Sequence, residues 1–331
     1  VLALRTRNGR SAMQWKQYLH QKPLQVLYLI LALLTFKELI VISTLKNSVS
    51  PIADGYSEAN TIRGATFFID KGITAFSGLP DICYGDSLPD VGVAGVAKKL
   101  GQNCSGKAYT HYPPGPEYFG WFGMQIVGKE NWRLLRLLPI ILSVLSGILF
   151  LNTFFHLIGG GTRGLILGLF LLLPPMFSNY MHGLHHQQYA FLMLQLQISL
   201  CVLYFTKESW RNLRTLLAFI VLSFVQGWMT FDYAFLATLF AIPIFLLLKN
   251  EYEILWGRFL TVGFLSGIPY TISHVLHFLQ VINYEGSFDA AIKDFTSTAA
   301  HRATNTGSFE SNPKYDPKEI GPFTVAKDYL Y

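Results

Sequence analysis

Charge is what this chain has least of. Only 14% of its 331 residues are Asp, Glu, Lys or Arg, against about a quarter in an ordinary soluble domain. The deficit excludes a soluble globular protein. With 51% hydrophobic residues in long runs, it places the chain in the membrane class. A concentrated basic face is missing as well. The net charge of +6 is spread over the ends of apolar runs, so no nucleic-acid partner is expected. No internal repeat or low-complexity tract is visible. No cleavable signal is visible either, because the first apolar run follows a basic segment and is too long for a signal core. The chain begins at Val1 rather than Met and stops in a polar stretch at Tyr331. It therefore reads as part of a longer one.

Seven apolar runs are present. They cover Leu24–Leu45, Arg133–Leu157, Gly164–Tyr180, Gln188–Phe205, Leu213–Met229, Tyr233–Leu248 and Arg258–Gln280. Each is roughly 16 to 25 residues, about the length that crosses a hydrocarbon core. Trp132, Trp210, Trp228 and Trp256 fall near run ends, where amphipathic rings prefer the interface. The expected fold is an all-α polytopic membrane protein of about seven spans. Orientation follows from the short loops. Arg5, Arg7, Arg10, Lys16 and Lys22 precede the first run. Arg163, then Lys207, Arg211 and Arg214, then Lys249 and Arg258 occupy alternate loops. The intervening loops 182–187 and 230–232 hold no Lys or Arg. The positive-inside rule then puts the N-terminus in the cytoplasm.

The expected organisation is a basic cytoplasmic segment over 1–23, a first span over 24–45 and an extracytoplasmic loop over 46–130. A six-span bundle over 131–280 and an extracytoplasmic tail over 281–331 complete it. Cys83 and Cys104 share the outer loop and Cys201 sits in a span. An oxidising compartment lets the first two pair; otherwise they are two thiols.

The outer loop carries the chemistry. Ser50-Pro51 is a helix start and Gly72 a stop. Ile52, Tyr56, Ala59, Ile62, Thr66 and Ile69 recur between them at helical spacing. Asp54, Glu58 and Thr61 fall on another face. The pattern predicts an amphipathic helix on the outer membrane surface, with Asp54 in its first turn. There the helix dipole favours an ionised carboxylate, which is the form a general base needs. The alternative reading of the same residue is an aspartate that only caps the helix start. Further on, Tyr109-Thr110-His111-Tyr112-Pro113-Pro114-Gly115-Pro116-Glu117-Tyr118 stiffens the chain before a short apolar segment, and His111 and Tyr112 are expected to face the acidic helix.

The order of these parts resembles the GT-C glycosyltransferases. It runs basic tail, one span, an outer helix opening on an acid, a Pro-Pro motif, and then Arg133-Leu134-Leu135-Arg136-Leu137-Leu138-Pro139. The most similar branch is that of the protein O-mannosyltransferases and lipid A aminoarabinose transferases. The resemblance covers about the first 280 residues. It implies a GT-C-like transmembrane bundle whose large first extracytoplasmic loop carries an interfacial helix. It also implies a sugar arriving on a polyprenyl phosphate, an acceptor that is a lipid, a protein or a glycan, and Asp54 at the catalytic position. Two departures stand out. Gly55 rather than Glu follows Asp54, the nearby acid being Glu58. His111-Tyr112 rather than Lys precedes the prolines. Expected phosphate partners are Arg63 and, in the tail, His301 and Arg302, because guanidinium grips phosphate bidentately.

His182-Gly183-Leu184-His185-His186 has two further readings. Beside the acidic loop it is a candidate for the donor phosphate or a divalent metal, although the sequence makes no cofactor certain. Its spacing also matches the HxxHH boxes of membrane di-iron hydroxylases and desaturases. Those enzymes cluster about eight histidines in three boxes, whereas the nine histidines here are spread along the chain. Asp232, an acid near membrane depth, is a further substrate-binding candidate. A transporter or lipid flippase is the alternative outside the transferases, because Pro174-Pro175 and Gly267/Pro269 interrupt two runs.

Overall fold

The computed structural model describes residues 2–45, 55–82, 84–85, 106–157, 160–174, 177, 181–231 and 236–304. The chain divides into two compact units, Val1–Gln280 and Val281–Tyr331. All regular structure among the described residues is helical. In chain order the helices are α1 Leu2–Leu45, α2 Gly55–Lys71, α3 Gly115–Val127, α4 Leu137–Leu157, α5 Gly161–Leu172, α6 His186–Thr206, α7 Leu213–Met229, α8 Leu236–Leu248, α9 Trp256–Glu285 and α10 Phe288–Thr304. A 3-10 segment, Lys129–Arg136, leads into α4. The second unit contributes α10.

Among the described residues, four helical segments are long and apolar enough to cross a membrane: Lys22–Leu45, Lys129–Phe155, His186–Thr206 and Trp256–Glu285. Three apolar helices are shorter: Gly161–Leu172, Leu213–Met229 and Leu239–Leu248. Exposed apolar side chains cover the flanks, with Leu247 78% and Phe170 74% exposed. Patches of that kind do not persist on soluble proteins. The fold is that of a membrane-embedded protein.

Of the expected third run, Gly164–Tyr180, a helix over Gly161–Leu172 is described, and residues 175–176 and 178–180 lie outside the described residues. α5 ends at Leu172, just before Pro174-Pro175, where the proline ring and its missing N–H stop the helix. The seventh run grows instead, to Glu285. α6 is the centre of the first unit. It packs on α3, α4, α7 and α8, while α1 packs on α4 and α5.

Two apolar cores hold these helices. One gathers Phe205, Phe219, Phe245 and Val262 from α6 to α9. The other gathers Leu27, Leu31, Leu151, Phe155 and Leu172 from α1, α4 and α5. Buried amides and hydroxyls stitch α6 to its neighbours. Gln188 donates to Ser143 at 3.3 Å, Ser146 donates to Gln195 at 3.0 Å, and Gln197 bonds both Gln226 and Ser223. Such pairs take the place of the hydrophobic drive that lipid surroundings remove.

Helix α2 differs from the amphipathic surface helix that its pattern predicts. Its apolar side chains do pack, since Ile62 and Ala65 join Met124, Trp132, Leu135 and Leu184 in a third core. Its polar face is buried too, with Glu58 at 0% and Thr61 at 3% exposure. The cause is close packing against α3. A Cβ on Gly120 would stand 2.8 Å from that of Ala65, and one on Gly64 would stand 2.5 Å from Cγ of Glu117. Only glycine lets the two backbones approach so far. Gly72, with φ +90°, ends α2 as expected, its N–H bonding the Phe68 carbonyl at 3.0 Å.

Candidate functional site: a polar pocket at one end of the helix bundle

Three segments meet at one end of the first unit: α2, the Tyr109–Glu117 run that opens α3, and the start of α6. They enclose a pocket of about 220 Å³ lined by Ser57, Asn60, Thr61, Tyr109, Tyr112, Glu117, His186 and Gln187. Three tethers set its walls. Gly64 seats Glu117 against α2. His277 of α9 donates from Nε2 to the Thr110 carbonyl at 3.1 Å, which fixes the approach to the prolines. The Tyr118 hydroxyl donates to the Gly78 carbonyl at 2.7 Å and accepts from Gln280 at 3.0 Å.

The rings form one connected group. Tyr112 lies 4.7 Å from His186 and 6.4 Å from Tyr109, centroid to centroid. Phe231 lies 6.3 Å from Tyr112 and stacks at 4.6 Å on His274.

Glu117 is the acid of the pocket. It stands in the first turn of α3 and is 7% exposed. Burial pushes its carboxyl up to about 7, and its own backbone N–H offsets only part of that. A group with that value exchanges a proton near neutrality, as a general acid or base must. Glu117 stands in the sequence inside the proline motif, where no local spacing marks it for a role. Asn60, Tyr109 and Gln187 were missed likewise. One signal was available: an acid heading a run, Tyr118–Val127, that is otherwise nearly all apolar.

The candidate residues from the sequence separate. Tyr112 and His186 line the pocket. His111 is exposed beside Tyr109, with ring centroids 5.3 Å apart. Glu58 is held by Arg136 in a fully buried bidentate pair, Oε1–Nη1 2.6 Å and Oε2–Nη2 3.1 Å. The guanidinium also sits 5.3 Å from the Trp132 ring. That carboxylate is a strut between α2 and the approach to α4. Arg63 is half-buried on α2, and its Nε has no hydrogen-bond partner among the described residues. Asp54, Asp232, Cys83 and Cys104 lie outside the described residues. His301 and Arg302 belong to the backbone of α10, in the second unit.

The three histidines of the HxxHH run go to three different neighbours. His182, fully buried, pairs with Glu38 of α1, whose other oxygen meets Lys37 at 3.0 Å. His185 caps α6, its Nδ1 accepting from the Gln188 N–H at 3.3 Å. His186 turns to Tyr112. Among the described residues no three His, Cys, Asp or Glu side chains converge as metal ligands would. The di-iron reading needs such a convergence.

No family model matches the chain, and neither a characterised protein nor a solved structure does.

Proposed function

We propose that the protein is a multi-pass membrane glycosyltransferase of GT-C type. It moves a sugar from a polyprenyl-phosphate donor to an acceptor on the extracytoplasmic face, with its N-terminus in the cytoplasm. The observation that carries the reading is the convergence of separate polar segments on one pocket. The helix that follows Asp54, the Tyr-Pro-Pro run and the histidine turn are far apart in sequence, and all contribute lining residues. A set of this kind at the end of a helix bundle suits chemistry on a lipid-borne headgroup better than a through-path.

The reaction needs a base and a stabilised leaving group. Asp54 takes the proton from the acceptor nucleophile. The freed lone pair bonds to the anomeric carbon as the bond from that carbon to the phosphate oxygen breaks. The electron pair leaves with the polyprenyl phosphate, whose charge Arg63 meets. The test is Asp54→Asn, which keeps size and hydrogen bonding but removes the charge. Transfer from a polyprenyl-phosphate sugar in proteoliposomes is expected to fall by roughly a hundredfold or more, with folded yield unchanged. A folded Asp54→Asn protein that transfers at the parental rate ends the proposal.

A further inference from the structure

Helices α4 and α6 run in the same direction, joined in their first halves by the Gln188–Ser143 and Ser146–Gln195 bonds. The polar pocket takes lining residues from the start of α6. Both helices end on the far side, about 30 Å along α6 at 1.5 Å per residue. A cleft of about 270 Å³ lies between their last turns. Its walls within the helices are apolar, made by Leu149, Val202 and Leu203, and Lys207 and Trp210 line it just beyond the end of α6. Most donors there are already used. Asn152, Thr153 and Thr206 donate to the Ile148, Leu149 and Val202 carbonyls of their own helices. Arg211 is spent on the Tyr204 and Phe205 carbonyls at 3.2 and 2.9 Å. Two groups remain. The Lys207 ammonium and the Trp210 indole N–H meet no acceptor among the described residues, and both can only donate. Among the described residues no acid lines the cleft. Glu208 lies toward Arg211, and Glu251 engages the Tyr252 hydroxyl. The loops at this end hold Arg163, Lys207, Arg211, Arg214, Lys249 and Arg258 against Glu208, Glu251 and Glu253.

A partner that matches must accept hydrogen bonds without donating, carry negative charge, and offer hydrocarbon to the apolar walls. A phosphodiester on acyl chains does all three. The apolar surface also continues away from the cleft, because Ile141 and Leu145 are exposed on the side of α4 that carries Leu149. Basic clefts between spanning helices are where anionic head groups bind, and an indole at a span end sits at head-group level. A choline or ethanolamine head would bring a cation of its own to Lys207, with no carboxylate in the lining to receive it. We propose that the cleft is a binding site for an anionic glycerophospholipid. Its phosphate oxygens accept from the Lys207 ammonium and the Trp210 indole N–H, and an acyl chain lies against Leu149 and Leu203. Such a site is independent of the transferase reading, since it lies at the opposite end of α6 from the polar pocket.

The test is lipid retention by the full chain in a neutral detergent, read by native mass spectrometry. Phosphatidylglycerol and phosphatidylcholine with the same acyl chains are the probes, and glycerol 3-phosphate is the soluble competitor. The parent is expected to hold phosphatidylglycerol more tightly than phosphatidylcholine. Lys207→Ala is expected to weaken phosphatidylglycerol about fivefold, the worth of one Lys at a lipid surface, and to leave phosphatidylcholine unchanged. Lys207→Arg is expected to keep the preference. Trp210→Phe, which keeps a ring and removes the N–H, is expected to reduce it. Lys249→Ala is the control. That ammonium lies over the Trp256 ring in the loop that carries Tyr252, outside the cleft lining, and its loss is expected to change nothing. Each variant is checked for an unchanged melting profile. Equal retention of the two lipids by the parent would overturn the proposal. So would a preference that survives Lys207→Ala, or an effect of Lys249→Ala as large as that of Lys207→Ala. Displacement of the lipid by glycerol 3-phosphate would also overturn it and assign the cleft to a free phosphate group.

Discussion

Breaking the Glu58–Arg136 pair should do far more damage than removing it. Both side chains are fully buried and joined by two charged hydrogen bonds. Glu58→Gln keeps the shape of the side chain but leaves the Arg136 guanidinium with no counter-charge in a site that water does not reach. Removing one partner of such a pair costs about 3–5 kcal/mol. At about 2–4 °C per kcal/mol for a unit of this size, that lowers the melting temperature by roughly 6–20 °C. Glu58→Leu with Arg136→Met removes both charges and fills much of the same volume. It should return to within about 1–2 kcal/mol of the parent, since apolar replacements of buried pairs are often neutral. The assay is helical circular dichroism of the purified protein in one detergent at one scan rate, because unfolding of such proteins is usually rate-controlled. Added salt should not change the difference between parent and Glu58→Gln, because ions do not screen a buried pair well. A Glu58→Gln protein that melts with the parent refutes the strut. So does a double variant as unstable as the single one. If the double variant is stable and still transfers sugar, Glu58 has no chemical part.

Two further outcomes follow from the same geometry. Glu117 has its folded-state value raised from 4.5 to about 7, so between those values the unfolded chain holds fewer protons and stability falls as pH rises. Glu117→Gln should abolish that slope and be the more stable protein above pH 7, by up to about 3 kcal/mol; a parallel pair of stability–pH curves would contradict the burial. Orientation is checked with single cysteines at exposed positions in a background whose native cysteines are serine. Lys107→Cys should react with an impermeant maleimide added outside the cell and Glu208→Cys should not, and the opposite pattern would reverse the proposed topology.

The helices were legible where their signals are local. The fifth apolar run has the same bounds as α7, because Asn212 caps one end, accepting from the Thr215 N–H at 3.1 Å, and extended backbone at Thr230 closes the other. Helix α1 runs farther towards the N-terminus than its apolar stretch. Hydropathy sees where lipid would cover a helix, not where the helix begins. In the pocket, Tyr112 and His186 were legible as polar residues beside prolines and between apolar runs. The pairing of Glu58 was not legible because its partner stands 78 residues away, and no periodicity within α2 announces it. Glu117 was overlooked for a related reason. An acid in the first turn of a helix ordinarily faces water and the helix dipole. Here it is buried because Gly64 and Gly120 bring two helices together, a fact of pairing rather than of pattern.

The buried charges around the pocket have a common arrangement. Glu58–Arg136 ties α2 to the approach of α4, and Glu38–His182 ties α1 to the turn before α6. His277 and Gln280 of α9 hold the Tyr109–Tyr118 segment through neutral bonds. The Arg136 guanidinium fixed by these contacts is answered by the Glu58 carboxylate, and neither lines the pocket. The walls are thereby held by interactions that do not enter the ligand's space, which is what a preorganised site requires. Glu117 differs, being a carboxyl that lines the pocket itself and meets its own backbone N–H.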